Sequence, residues 1–281
     1  MNEINNIGTP MPELPEVETI RTQLSEDLPL VVDAISFSKF AKLIVKEKKV
    51  SIEGETLLNI GRKGKVLDFY FSGNKRMISG LGMSGSWQIS GEEISVKHAH
   101  IKLKFLDGDG KYVFMAYVDP RRFGKAHIVD TQRAEVLLAR LGVDVSSHDF
   151  TSKYLFDQLQ KRGQNPVKAV LLEQAVFAGI GNYMASEICA LAGVLPSRQA
   201  REVSKAECAK MIKGCHRVIE RSVESGGMTF HGGYVDASGK KGEGLKNLVV
   251  FYQKLCGMCG SAVVKSEIKG RGTYHCPSCQ K

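Results

Sequence analysis

The sequence predicts an α+β protein, with an N-terminal helix plus a β-sandwich domain, then a helical domain, then a small four-cysteine module. Three observations predict this. Helical apolar spacing gives way near residue 30 to short runs of β-branched and aromatic residues, and returns near residue 131. Hydrophobic residues make up 43% of the 281 and charged residues 25%, which suits a chain that buries real cores and excludes a mostly disordered one. Four of the seven cysteines form C-x2-C-x16-C-x2-C at the C-terminal end.

Residues 1–11 read as a loose leader or as the product of a misassigned start. Helix signals begin at Pro12. Pro15 suits a first helical turn, where a missing N–H costs nothing, and Glu13, Glu16 and Glu18 place negative charge where the helix dipole favours it. Val17, Ile20, Leu24 and Leu28 make one apolar stripe. Strands are expected at Leu30–Phe37, Lys42–Val50 and Val66–Phe71. His100–Leu106 and Lys111–Val118 flank a turn at Asp107-Gly108-Asp109-Gly110 and read as a hairpin. Many short strands after one helix point to a sandwich or barrel.

Helices are expected at Ala134–Leu141, Lys153–Lys161, Val167–Phe177, Asn182–Ala192 and Ser204–Val223. Gly179-Ile180-Gly181 breaks the chain between two of them. The glycine-rich stretch Gly226–Gly244 should be a mobile loop, with His231 a loop residue rather than a catalyst. The expected units are therefore 12–130, 131–245 and 246–281.

The charge balance of +9 is compatible with an anionic partner but does not require one. No apolar run approaches the roughly 18 residues of a membrane span, and the polar start is not a signal peptide. An odd cysteine count without such a signal argues for a reducing cytoplasm and against a disulfide framework.

Cys256, Cys259, Cys276 and Cys279 have the spacing of two zinc knuckles, with Gly260 and Pro277 suited to tight turns. Four thiolates fill a tetrahedral shell, so one structural Zn2+ is expected, with no open position for chemistry. The intervening 16 residues suffice for a β-hairpin. The charges of this module, Lys265, Lys269, Arg271 and Lys281, suit either a phosphate grip or a solvated face.

The stretch Pro12-Glu13-Leu14-Pro15-Glu16-Val17-Glu18-Thr19 could by itself be a helix start and nothing more. Together with the four-cysteine module it resembles the start of the formamidopyrimidine-DNA glycosylase family, bacterial base-excision repair enzymes related to endonuclease VIII. Leu14 is similar to the formamidopyrimidine branch. Further marks follow in order: Gly61-Arg62-Lys63-Gly64-Lys65, Leu81-Gly82-Met83-Ser84-Gly85-Ser86, Asp119-Pro120-Arg121-Arg122-Phe123-Gly124 and Gly179-Ile180-Gly181-Asn182-Tyr183. The resemblance runs from Pro12 to Lys281.

The resemblance implies a bifunctional glycosylase and abasic-site lyase that removes oxidised purines from duplex DNA. Pro12 would be the nucleophile, Glu13 a proton-handling acid, Lys65 an active-site cation and Glu16 a supporting acid. A secondary α-amine is less basic than lysine, so more of it is unprotonated at neutral pH. Met83, Arg121 and Phe123 would fill the void left by a flipped base, with Arg121 facing the estranged cytosine. Lys168, Asn182 and Arg271 would contact phosphates, and the helices around Gly179–Gly181 would form a helix–two-turn–helix. The Gly226–Gly244 loop would close over the base, with Met228 where a threonine is commoner. A monomer acting in the cytoplasm is expected.

One departure stands out. Eleven residues precede Pro12, and an amide nitrogen inside a chain cannot form an iminium. A start at Met11 followed by methionine removal would expose it. Two alternatives stay open: an endonuclease VIII-like enzyme for oxidised pyrimidines, and a lesion-binding protein without catalysis if Pro12 stays internal.

Overall fold

A computed structural model describes residues 11–230 and 233–281. Most of the leader, and His231, lie outside the described residues. Helix α1 (Leu14–Leu24) opens the fold, with Pro15 in its first turn as expected. The Glu16 carboxylate turns back to accept the Glu13 N–H at 2.9 Å, which caps a donor the helix leaves unpaired.

Nine strands follow: β1 (Leu30–Phe37), β2 (Val45–Lys48), β3 (Thr56–Lys63), β4 (Val66–Phe71), β5 (Lys75–Gly80), β6 (Ser86–Ser90), β7 (Ala99–Leu106), β8 (Tyr112–Val118) and β9 (Lys125–Asp130). They form one sheet in the order β2-β9-β5-β4-β3-β1-β7-β8-β6. Only β2 and β9 pair in parallel. The sheet folds over on itself. Phe69 of β4 and Trp87 of β6 are distant in strand order, yet their rings lie 5.2 Å apart. The Trp87 indole N–H also donates to Ser79 Oγ of β5 at 2.9 Å. The sandwich is therefore a single sheet whose two halves enclose a core of Leu57, Leu67, Phe69, Trp87, Leu103, Phe105 and Tyr117.

The second half holds α2 (Thr131–Leu138), β10 (Val143–Asp144), α3 (Ser152–Lys161), α4 (Val167–Leu171), β11 (Phe177–Ala178), α5 (Asn182–Ala192) and α6 (Lys205–Glu224). Strands β12 (Val264–Ile268) and β13 (Arg271–His275) form the expected terminal hairpin, paired antiparallel. Tyr274, Cys256 and Cys276 pack into the helical core, so the hairpin is seated on the helices. Buried Glu187 of α5 fixes the approach to it, accepting from the N–H groups of Val249, Val250 and Phe251 at 2.6, 2.9 and 2.8 Å.

Four expectations change. The helix expected over Ala134–Leu141 runs over Thr131–Leu138, where the Asp130 carboxylate caps it by accepting the Arg133 N–H at 2.7 Å. The helix expected over Val167–Phe177 stops at Leu171. Gln174 breaks it by spending its side chain on backbone, donating to Leu172 O and Ile180 O and accepting from Gly179 N–H. The strand expected over Lys42–Val50 is confined to Val45–Lys48, because a 3-10 turn at Ala41–Leu43 first carries Ile44 into the sandwich core. The glycine-rich segment, expected to be a mobile loop, is packed along its described residues. Met228, Phe230, Tyr234 and Ala237 are buried.

The two cores share elements. Val17, Ile20 and Leu24 of α1 lie in the sandwich core, while Leu14 lies in the helical one. In return Tyr234 and Ala237 cross back to the sandwich, where Ala237 O accepts from Ile89 N–H at 2.9 Å. Neither the 130/131 nor the 245/246 division separates the cores cleanly.

Candidate active site and nucleic-acid interface

The first turn of α1 abuts the start of α5. Glu13 is buried, and its carboxylate accepts from Gly181 N–H and Tyr183 N–H at 2.9 Å and from Met184 N–H at 3.1 Å. Those are donors that a helix N-terminus leaves unpaired, so α5 is capped by a residue 170 positions earlier in the chain. The approach requires glycine at 181. A Cβ there would lie 2.2 Å from the Glu13 carboxyl carbon.

Glu16 sits one layer deeper. Its oxygens accept from Met228 N–H at 2.8 Å and from the Ser222 and Tyr183 hydroxyls at 3.1 Å, besides Glu13 N–H. It thus ties α1 to α5, α6 and the glycine-rich segment. Burial pushes its carboxyl up to about 7, against the pull of the donors around it. Burial also raises Glu13, opposed by the Lys65 charge and the three N–H groups.

Lys65 occupies the β3–β4 turn and is half-buried. Burial lowers its ammonium, while Glu13 and Glu16 pull the other way. The turn is pinned by Gly64 N–H donating to Asp144 at 2.6 Å, and Arg62 joins the same carboxylate to Glu18 of α1. A cavity of about 300 Å³ lies over this junction. Met11, Glu13, Lys65, Met83, Asn182 and Arg271 are among its lining residues. Five predicted site residues from separate segments thus converge. Pro12 is buried beside them, with Met11 on the cavity wall.

Arg121 and Phe123 project from the β8–β9 connection. Both are exposed, Phe123 by 53%, and the guanidinium stands 5.0 Å from the ring centroid. Buried Asp119 holds this loop, accepting from Gly124 N–H at 2.8 Å, Arg121 N–H at 3.2 Å and the Ser84 hydroxyl at 2.6 Å. Through Ser84 it also fixes the Met83 loop. The two loops touch at Gly82, where φ is +69° and a Cβ would meet the Gly124 nitrogen at 2.6 Å. Met83, Arg121 and Phe123 therefore stand on two loops fastened together.

Lys168 departs from the expected phosphate contact. It has no exposed surface, and its ammonium donates to Gly272 O at 2.9 Å and Thr273 Oγ1 at 3.0 Å. Burial lowers it to about 8. In this structure it seats the terminal hairpin, with its ammonium turned to Gly272 O and Thr273 Oγ1. Asn182 donates to the same Gly272 carbonyl at 3.0 Å and lines the cavity. Arg271, at the start of β13, is exposed on the cavity rim.

The thiol groups of Cys256, Cys259, Cys276 and Cys279 all lie within 4.8 Å of one another. Two of the sulfur–sulfur separations are 3.6 and 4.0 Å. A tetrahedral ion with metal–sulfur bonds of about 2.3 Å needs edges of about 3.8 Å, so the cluster fits a metal ion. It is the only such group among the described residues.

Tyr183, Ser222, Asp119 and Tyr117, whose hydroxyl donates to Leu81 O at 2.8 Å at the base of the Met83 loop, escaped the sequence reading as functional residues. Tyr183 and Asp119 belong to motifs quoted there, and their acid or hydroxyl type was the available signal. Ser222 and Tyr117 carry no local signal.

Two family descriptions match the chain: the formamidopyrimidine-DNA glycosylase N-terminal domain over residues 11–126, and the H2TH domain of the same glycosylases over 141–232. The chain belongs to the formamidopyrimidine-DNA glycosylase family. Relatives carrying that name are 36% identical in Cytobacillus firmus and 35% identical in Neisseria meningitidis. Each alignment covers 96% of this chain and 100% of the relative. Among solved structures, the MutM (Fpg) protein of Thermus thermophilus superposes with a TM-score of 0.82 at 31% identity, covering 96% of this chain and 98% of its own. A Lactococcus lactis Fpg bound to DNA containing N7-benzyl-Fapy-dG gives 0.83 at 27% identity, covering 96% and 100%. No described helix is long and apolar enough to cross a membrane.

Proposed function

We propose that this protein is a DNA glycosylase and abasic-site lyase of base-excision repair, acting in the cytoplasm as a single chain on duplex DNA carrying oxidised purines such as 8-oxoguanine. The carrying observation is the cavity where Glu13, Lys65, Asn182 and Arg271 meet at the start of α1. Family membership over nearly the whole chain supports the same reading.

In this reading the acting form begins at Pro12. The family match starts at residue 11, and Met11 lies on the cavity wall, so removing it leaves a secondary amine facing the cavity. The amine adds to the sugar C1′ as the bond from C1′ to the base breaks, and the departing base takes up a proton. The proline nitrogen gives up its proton, the C1′–O4′ bond breaks as O4′ takes up a proton, and the opened sugar is held as an iminium. Loss of a C2′ proton then expels the 3′ phosphate, and a second elimination expels the 5′ phosphate. Glu13, raised by burial, is suited to exchange protons with the sugar oxygen. Lys65 and Arg271 supply positive charge toward a flanking phosphate, with Asn182 beside them on the cavity wall. Met83, Arg121 and Phe123 occupy the gap left by the extruded base.

The four cysteines hold one zinc, which orders the hairpin and takes no part in the reaction. The sulfur spacing and the all-thiolate donor set support that ion.

Borohydride trapping on an abasic-site duplex tests the reading. The form beginning at Pro12 should cross-link, and the chain beginning at Met1 should not. Failure of the Pro12 form to cross-link would leave a lesion-binding role without catalysis.

A further inference from the structure

We propose that Phe40 is a positioning residue for the Arg121–Phe123 tip, and that it sets how well the protein discriminates the base opposite the lesion. The inference rests on the void-filling role given to that tip above.

Arg122, between the two projecting residues, has φ of +58°, a left-handed conformation that residues with a Cβ rarely adopt. That reversal lets its neighbours point outward while its own side chain turns back. The guanidinium comes to rest 5.1 Å from the centroid of the Phe40 ring. Lys39 sits 5.2 Å from the same ring. Phe40 is 41% exposed and absent from both large hydrophobic cores, so core packing does not account for it.

A second link fastens the same segment to the base of the loop. Buried His100 spans Ser38 Oγ at 2.8 Å and the Asp119 carbonyl at 3.1 Å. Ser38 Oγ in turn accepts the Phe40 N–H at 3.2 Å, and the His100 ring meets the Phe40 ring edge-on at 6.4 Å. The Ser38–Phe40 segment thus holds the loop at its base, through Asp119, and at its pivot, through Arg122. A left-handed residue with a side chain persists only where its surroundings hold it. The ring–guanidinium contact supplies that hold on the side away from the base-facing residues.

Phe40→Ala removes the ring, Phe40→Leu keeps apolar bulk without a π face, and Phe40→Trp restores one. Two readouts are taken. Tryptic cleavage after Arg122 should run about fivefold faster in the Ala and Leu variants and return to the wild-type rate in Trp. The ratio of 8-oxoguanine excision opposite cytosine to that opposite adenine should fall by about the same factor and recover in Trp. Unchanged cleavage in Ala and Leu overturns the positioning role. Faster cleavage with an unchanged ratio overturns the specificity role. All variants are made in the form beginning at Pro12; that form without excision would count against the proposed function, while the cleavage rates would still decide whether Phe40 holds the loop.

Discussion

Lys168 and Asn182 donate to one and the same acceptor, the carbonyl oxygen of Gly272, from 2.9 and 3.0 Å. Both residues come from the helical half and the acceptor from the terminal hairpin. The position of Arg271, one residue before that carbonyl, is therefore set by the helices.

Replacing Lys168 by Met should loosen that seat. The variant loses two charge-assisted hydrogen bonds, yet it also relieves a buried ammonium, so global stability should change little. Duplex affinity should fall about tenfold, read by fluorescence anisotropy. A drop in melting temperature with unchanged affinity would contradict the hairpin-seating role.

Glu16 should make stability depend on pH. In the unfolded chain its carboxyl titrates near 4.5, and burial raises it to about 7 in the folded one. Below about pH 4.5 both states keep the proton and the full contribution is present. As pH rises toward 7 the unfolded chain releases its proton first, and up to roughly 3 kcal/mol of stability is lost. Glu16→Gln cannot titrate, so the wild type should lose more stability than the variant between about pH 5 and pH 8 in urea melts. Parallel profiles would refute the assignment.

Gly181→Ala should disable the site without replacing an ionisable residue. The new methyl would sit 2.2 Å from the Glu13 carboxyl carbon and 2.4 Å from Oε1, forcing the carboxylate off the α5 N-terminus. Single-turnover excision should slow by about 100-fold or more, with ~2 kcal/mol or more of destabilisation. Activity near wild type would mean that Glu13 does not need this seat.

Metal removal should separate binding from folding. Trp87 is the single tryptophan and lies in the sandwich core, far in sequence from the cysteine cluster. Chelation should weaken duplex binding while the Trp87 fluorescence is retained. The salt dependence of binding should also become shallower by about one phosphate contact as Arg271 loses its place. Loss of the Trp87 signal together with affinity would mean that the metal holds the whole fold.

Elements with strong local patterns were legible from the sequence. The expected bounds of β1, β4 and α5 coincide with the observed ones, since each has a sustained apolar period and clear flanks. Strand β3 was not, because Asn59, Gly61, Arg62 and Lys63 interrupt its apolar run. The end of α4 was also hidden, because Gln174 breaks the helix by reaching backbone several residues away. At the site, Glu13, Lys65, Asn182 and Arg271 were found through motifs and do share one cavity. The burial of Lys168 against the hairpin was not legible, because a lysine's sequence neighbours do not tell whether its ammonium meets solvent or a carbonyl. The buttressing by Asp119, Tyr117 and Ser222 depends on contacts across 35 or more residues for Asp119 and Ser84, 36 for Tyr117 and Leu81, and 206 for Ser222 and Glu16.

The pairing of Glu13 with Tyr183 also fixes an order of events during synthesis. The first turn of α1 leaves the ribosome early, but its seat at Gly181–Met184 is made about 170 residues later. Until then Glu13 has no helix end to cap, and Leu14 has no helical core to enter. The first turn of α1 thus becomes enclosed only when the helical half folds.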